Sequence, residues 1–134
     1  MDHQLAFSLK YNYSRFSQGI TLPVAIEVGN RRTRVDARLD TGSQFCVFER
    51  DYGEYLGLDL ETGPTIRLST AAGSFTASGH AVMLQFEDFR FESFVYFALD
   101  RIPRSVLGQT GWLDRLRIGI VHHENLLYLA SYDE

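Results

Sequence analysis

The sequence predicts a mostly-β domain, a barrel or a sandwich, with one or two short helices. Two observations point there. Short apolar runs recur along the chain, punctuated by glycines, and several of them alternate between apolar and polar residues. Only two stretches carry helical spacing instead, and both are short.

Taken in order, residues 20–28 (ITLPVAIEV) and 33–39 (TRVDARL) read as strands joined by a hairpin turn at Gly29-Asn30. In the second strand Val35, Ala37 and Leu39 share one face, and Asp36, Arg38 and Asp40 share the other. Further strands are expected over 44–48, 65–69, 75–86, 91–98 and 126–130. The helical stretches are 49–56, followed by LGLDL, and 109–116 (QTGWLDRL), where Leu113 and Leu116 are helically spaced.

A length of 134 residues fits one domain, and 45% apolar residues suffice for a core. Residues 1–16 are the least patterned part and read as an N-terminal segment, either an extra edge strand or part of a dimer interface; residues 17–134 form the domain proper. The net charge of −4 is spread over mixed acids and bases, with no basic run longer than Arg31-Arg32, which argues against a nucleic-acid binder. No apolar stretch is long enough to cross a bilayer, and the N-terminus has no signal-peptide pattern. A single cysteine, Cys46, excludes an internal disulfide; the expectation is a reducing compartment, the cytoplasm.

The most informative stretch is 38–47, RLDTGSQFCV. It places a carboxylate, Asp40, where a strand stops, on the face opposite the apolar one. Thr41-Gly42-Ser43 then suits a tight loop: the glycine permits a backbone shape or a close approach that a Cβ would block, and the hydroxyls can bond neighbouring backbone or carboxylate groups. A bare D-T-G fits an Asx-type turn at a strand end equally well, so the surroundings have to decide.

Those surroundings follow a definite order. A hairpin, LPVAIEVGNRRTRVDARL, leads into DTGS; an apolar strand, FCVF, and a short helix closing on LGL follow. LSTAAGSFTASGHAVML is a long hairpin with Ala71-Ala72-Gly73-Ser74 at its tip, SFVYFAL is a further core strand, VLG at 106–108 precedes QTGWLDRL, and RIGIVHHENLLYLA is a closing hairpin. In this order the chain resembles the retropepsin-like aspartic proteases, the family of retroviral proteases and their bacterial and eukaryotic relatives. The resemblance implies a closed retropepsin-like β-barrel with a flap hairpin tipped by Ala71, Ala72, Gly73 and Ser74. It implies an aspartic endopeptidase acting on polypeptides, with Asp40 catalytic and Thr41, Gly42 and Ser43 forming the active-site loop, without metal or other cofactor.

Such a site needs two carboxylates sharing a proton. The chain has one DTGS and no duplicated half, so the second aspartate is expected from a second copy, in an isologous homodimer. By resemblance Thr41 bonds across the two-fold axis and Gly42 offers its carbonyl to the substrate. Three positions depart from the family pattern. Gln44 and Phe45 replace acidic residues that hold the substrate backbone, leaving Gln44 to bond it without charge. Gln109-Thr110-Gly111 replaces a helix start of Arg or Asn followed by Asp. Arg38 replaces an apolar residue where, by resemblance, the substrate side chains flanking the cut are held, and it is expected to favour acidic or polar groups there; the alternative is that Asp36 pairs with Arg38 and turns it outward. A retropepsin-like domain that no longer cuts and serves as a binding or assembly module is the alternative function.

Other groups read as structural. His122-His123, followed by Glu124-Asn125, is a hairpin turn whose imidazoles would point to opposite faces of a strand, and His80 and His3 lack partners at ligand spacing. Cys46 alternates with Phe48 on an apolar face and reads as a small buried hydrophobe. Trp112, Phe86, Phe89, Phe91, Phe94, Tyr96 and Phe97 read as core and interface packing.

Overall fold

A computed structural model of the chain describes residues 1–71 and 73–133; Ala72, expected at the hairpin tip, lies outside them. The elements run β1 (Leu9–Asn12), β2 (Thr21–Val28), β3 (Arg31–Leu39), β4 (Val47–Phe48), α1 (Arg50–Tyr55), β5 (Thr65–Thr70), β6 (Gly73–Phe86), β7 (Phe89–Ala98), β8 (Ser105–Leu107), β9 (Leu116–Val121) and β10 (Leu126–Ser131). Single 3-10 turns sit at Leu113–Arg115 and His122–Glu124.

Six strands close on themselves. The order β2-β3-β8-β4-β7-β6 is completed by a second pairing of β2 with β6, from Ala25↔Gln85 to Glu27↔Met83. Alternation explains the closure: Leu22, Val24 and Ile26 of β2, Val35 and Ala37 of β3, Val82, Leu84 and Phe86 of β6, and Val95 and Phe97 of β7 all point inward and are buried. β6 is long enough to serve two neighbours. Its C-terminal part closes the barrel, while Gly73 to Ser78 runs on with β5 as a hairpin arm, Thr70 pairing with Gly73 at the tip.

A second sheet, β1-β10-β9, joins the two ends of the chain. Residues 9–12 form its edge strand, paired antiparallel to β10 from Leu9↔Leu129 to Asn12↔Leu126. The expected turn at Gly29-Asn30 connects β2 to β3 in full register, from Thr21↔Arg38 to Val28↔Arg31.

Two expected elements are corrected. The helix over 109–116 reduces to the turn Leu113–Arg115, because residues 108–110 are drawn out by backbone bonds to residues 43 and 44, Gly111 takes φ +101, and Leu116 is already extended. The strand over 44–48 is only Val47–Phe48, preceded by one parallel bridge, Phe45↔Thr110. Of the aromatic set, Trp112, Phe86 and Phe97 are buried in the core, whereas Phe94 lies outside it, 44% exposed.

Phe97 sits at the centre of this packing, fully buried and 5.8 Å from the ring of Phe48. Phe97→Ala is expected to cost about 3–5 kcal/mol of stability; a loss under about 1 kcal/mol in urea unfolding would place the core elsewhere.

Candidate active site

β3 and β4 are neighbours in sequence but not in the sheet. β8 lies between them, parallel to β3 through Ala37↔Ser105, Arg38↔Val106 and Leu39↔Leu107, and antiparallel to β4 through Val47↔Val106. Residues 40–46 therefore have to bridge a gap one strand wide, and the loop they form carries the D-T-G-S tetrapeptide.

Backbone hydrogen bonds set the shape of this loop. Leu39 N–H donates to Ile20 O at 2.7 Å and Asp40 N–H to Leu107 O at 3.0 Å, which holds Asp40 at the end of its strand from both sides. Ser43 N–H donates back to Asp40 O at 3.2 Å, and Gly42 N–H donates to Asp40 Oδ1 at 3.0 Å, an Asx-type turn within the motif. Ser43 Oγ–H donates to Phe45 O at 2.7 Å and directs the chain into β4. Asp40 is half-buried, and among the described residues no cation pairs with its carboxylate.

The segment after β8 clamps the loop from below. Gln109 N–H donates to Ser43 O at 2.8 Å, Thr110 N–H to Gln44 O at 2.9 Å, and the Gln109 side-chain amide to Thr41 O at 2.7 Å. Gly108 makes this contact possible: a Cβ there would lie 2.2 Å from Phe45 O and 2.7 Å from Ser43 O. Cys46 is buried beneath the same junction. Its thiol donates to Thr110 O at 3.5 Å and accepts from Gly108 N–H at 3.4 Å, and burial pushes its pKa up to about 12.

Thr41, Gly42 and Gln44 are exposed and Ser43 half-buried, so the loop shows its outer side to solvent. Gly42 contradicts the sequence expectation within its own chain. Its φ is not positive, and a Cβ would meet only Asp40 Oδ1, at 3.4 Å, an ordinary contact. Ala71, Gly73 and Ser74 lie exposed at the hairpin tip, where Ser69 and Ser74 hydroxyls stand 3.3 Å apart and Thr70 Oγ1–H donates to Gly73 O at 2.9 Å.

Arg38 shares the Asp40 face, as alternation predicts, but not the partner weighed for it. Asp36 pairs with Arg34 at 3.3 Å, and Arg38 reaches Gln18 Oε1 at 3.5 Å instead. Arg34 and Arg38 both flank Asp36 at two residues' distance; Arg34 takes the carboxylate, while Arg38 runs along Gly19 toward Gln18. In the sequence Gln109 stands out only as part of a departure from the family's helix start; its position directly after VLG is the signal that it belongs to the site. Gln18 and Gly19 carried no signal, since only folding brings them to β3.

His122 and His123 lie in the turn His122–Glu124, and Tyr13 Oη stands 2.8 Å from His122 Nδ1. Among the described residues no group of three or more His, Cys, Asp and Glu is placed to hold a metal ion, and no helix is long and apolar enough to cross a membrane.

Two outcomes test the clamp. Gly108→Ala is expected to destabilise by about 1–3 kcal/mol, because the atoms in its way are backbone; an unchanged melting temperature would mean that the 108–110 contact is loose. The buried Cys46 thiol keeps its proton to about 12 in the folded chain but loses it near the ordinary thiol value of 9.0 when unfolded. The unfolded state then binds fewer protons, so stability falls as pH rises from about 9 to about 12, by about 1.4 kcal/mol per pH unit. Urea titrations over that range are expected to lose this slope in Cys46→Ala; an identical slope in both proteins would show that the thiol is not shielded.

A family model described as aspartyl protease matches residues 23–111, which include the whole loop and its clamp. A comparison with curated proteins finds no match. Among solved structures, a retropepsin-like aspartic protease from Rickettsia conorii is similar with a TM-score of 0.66 at 20% identity, over 90% of this chain and 96% of that one. The EIAV protease complexed with the inhibitor HBY-793 is similar with a TM-score of 0.55 at 18% identity, over 72% of this chain and 86% of its own. The structural likeness carries a retropepsin-like fold, the family model carries the kinship, and this chain belongs to the aspartyl protease family.

Proposed function

We propose that the chain is one subunit of a homodimeric aspartic endopeptidase, with Asp40 as its catalytic residue. One observation carries the reading: a single aspartate is held at a strand end by backbone bonds on both sides, and its carboxylate, half-buried and accepting from Gly42 N–H, has no cation partner among the described residues. One such carboxylate lacks the partner that general acid–base hydrolysis requires. A second copy related by a two-fold axis supplies it.

In the dimer the two Asp40 carboxylates share one proton. The ionised one takes a proton from water, whose oxygen attacks the scissile carbonyl carbon, while the protonated one donates to the carbonyl oxygen. The C–N bond then breaks as the amine nitrogen takes up a proton. Thr41, fastened through its carbonyl to Gln109, braces the paired loops. Ser43 keeps the loop closed on itself, and Gln44 offers an uncharged side chain to the substrate backbone. The β5–β6 hairpin, with Ala71, Gly73 and Ser74 at its tip, closes over the substrate and excludes water.

Gly42 adds support. Nothing in its own chain needs a glycine there, and its bare Cα leaves room for a substrate backbone or the second subunit to approach the exposed side of the loop. Gly42→Ala is therefore expected to melt within about 0.5 kcal/mol of wild type and yet to cleave an unstructured protein at least tenfold more slowly; full activity would remove Gly42 from the site.

Asp40→Asn keeps the shape but cannot share a proton, and is expected to abolish cleavage with the fold retained. Sedimentation run beside the assay tests the assembly. A protein that stays monomeric at high concentration and still cleaves refutes the dimer, and a monomer that never cleaves favours a binding module.

A further inference from the structure

We propose that Arg38, with Gln18 and Gly19, forms a subsite for an acidic side chain of the polypeptide beside the bond that is cut. The proposal rests on the protease reading above and names its substrate class.

Position comes first. Arg38, the last residue but one of β3, and Asp40, the first residue after it, are two apart, and alternation puts them on the same face, the one opposite the buried Val35 and Ala37. A side chain reaching Asp40 along that face passes Arg38. On this strand the core-facing neighbours Val35 and Ala37 are sealed, so Arg38 is the last charged group before the carboxylate.

The second point is charge. Other arginines around the barrel meet carboxylates: Arg32 and Arg90 share Glu27, Arg34 holds Asp36, and Arg50 holds Glu54 and Glu61. Among the described residues no carboxylate is in ion-pair range of Arg38. Its one polar contact is the long one to Gln18 Oε1, at 3.5 Å, and its Nε is buried with no acceptor at all. A guanidinium is always charged, and one whose only acceptor is a distant neutral amide gains from an incoming anion what arginines already paired with carboxylates do not.

The third point is construction. Gly19 adopts φ +67, and a Cβ there would lie 3.0 Å from Arg38 Nε and 3.1 Å from its Cδ. The loop before β2 thus lies directly over the arginine and fixes its course, and Leu39 N–H to Ile20 O, at 2.7 Å, ties that loop to β3. An arginine laid along a glycine in this way is pre-organised, so a bound carboxylate need not order it. Gln18 already accepts from the guanidinium, and its amide NH₂ is a second donor for the same carboxylate. The two-fold axis of the dimer provides the subsite twice, once on each side of the cut.

The test uses internally quenched peptides that differ only in Glu against Gln at the residues flanking the cleavage point. Wild type is expected to prefer the Glu peptide by about tenfold in kcat/KM, a preference that shrinks as salt is raised. Arg38→Gln should level the two peptides and Arg38→Lys should restore part of the difference; Arg38→Met, which keeps the apolar stem, replaces Arg38→Gln if that variant does not fold. Equal rates in wild type, or an unchanged preference without Arg38, overturn the subsite. Anisotropy titrations of the same peptides against Asp40→Asn separate the two claims. Glu-selective binding that depends on Arg38, with no cleavage by wild type, keeps the subsite and refutes the protease. Neither cleavage nor Arg38-dependent binding refutes both.

Discussion

Everything distinctive about this site depends on β8 lying between β3 and β4. A hairpin would have returned the chain from β3 directly into a paired strand, and Asp40 would have been an ordinary turn residue. Because β8 occupies the neighbouring place, the chain leaving β3 has no strand to join for several residues, and its backbone groups must find partners in a loop. They find them in the segment that follows β8. The result is a carboxylate on an irregular loop that is nonetheless held as firmly as a strand.

That firmness has a steric condition at Gly108. Two stretches of chain more than sixty residues apart approach so closely that a single Cβ would strike a carbonyl oxygen. The contact is worthwhile because it satisfies Ser43 and Gln44 carbonyls at once and allows the Gln109 amide to reach Thr41. Cys46 fills the space underneath as a small, protonated group, bonding weakly to Gly108 and Thr110 of the clamping segment. The loop thereby spends its bonding capacity inward and leaves one side open, which suits a site that is completed by another molecule.

The ends of the chain are organised separately. β10 is central in its sheet, flanked by β1 and β9, so the last strand is tied down by the first. Phe7 packs tilted against Tyr128, with ring centroids 5.8 Å apart, and Arg117 donates to Ala6 O at 2.9 Å, which extends the contact beyond the strand itself. The barrel that holds Asp40 and the sheet that joins the termini share one core: Tyr11 of β1 packs edge-on against Phe86 of β6, with ring centroids 5.0 Å apart, and Phe86 packs in turn on the fully buried Trp112.

By itself the sequence determined the strands whose two faces meet different surroundings. Alternation in 20–28, 33–39 and 75–86 is a local consequence of burying one side of a pleat, and it also placed Arg38 and Asp40 on one face. The order of motifs around D-T-G-S was enough to name the family. Only the tertiary structure decided what is non-local. A three-residue strand such as β8 is too short to show a period, and the helical spacing of Leu113 and Leu116 lost to backbone bonds with residues 43 and 44. The need for glycine at 108 rather than at 42, the pairing of Asp36 with Arg34, and the placing of Gly19 over Arg38 depend on which segments approach one another. That approach is set by how the barrel closes, and no local pattern of residues encodes it.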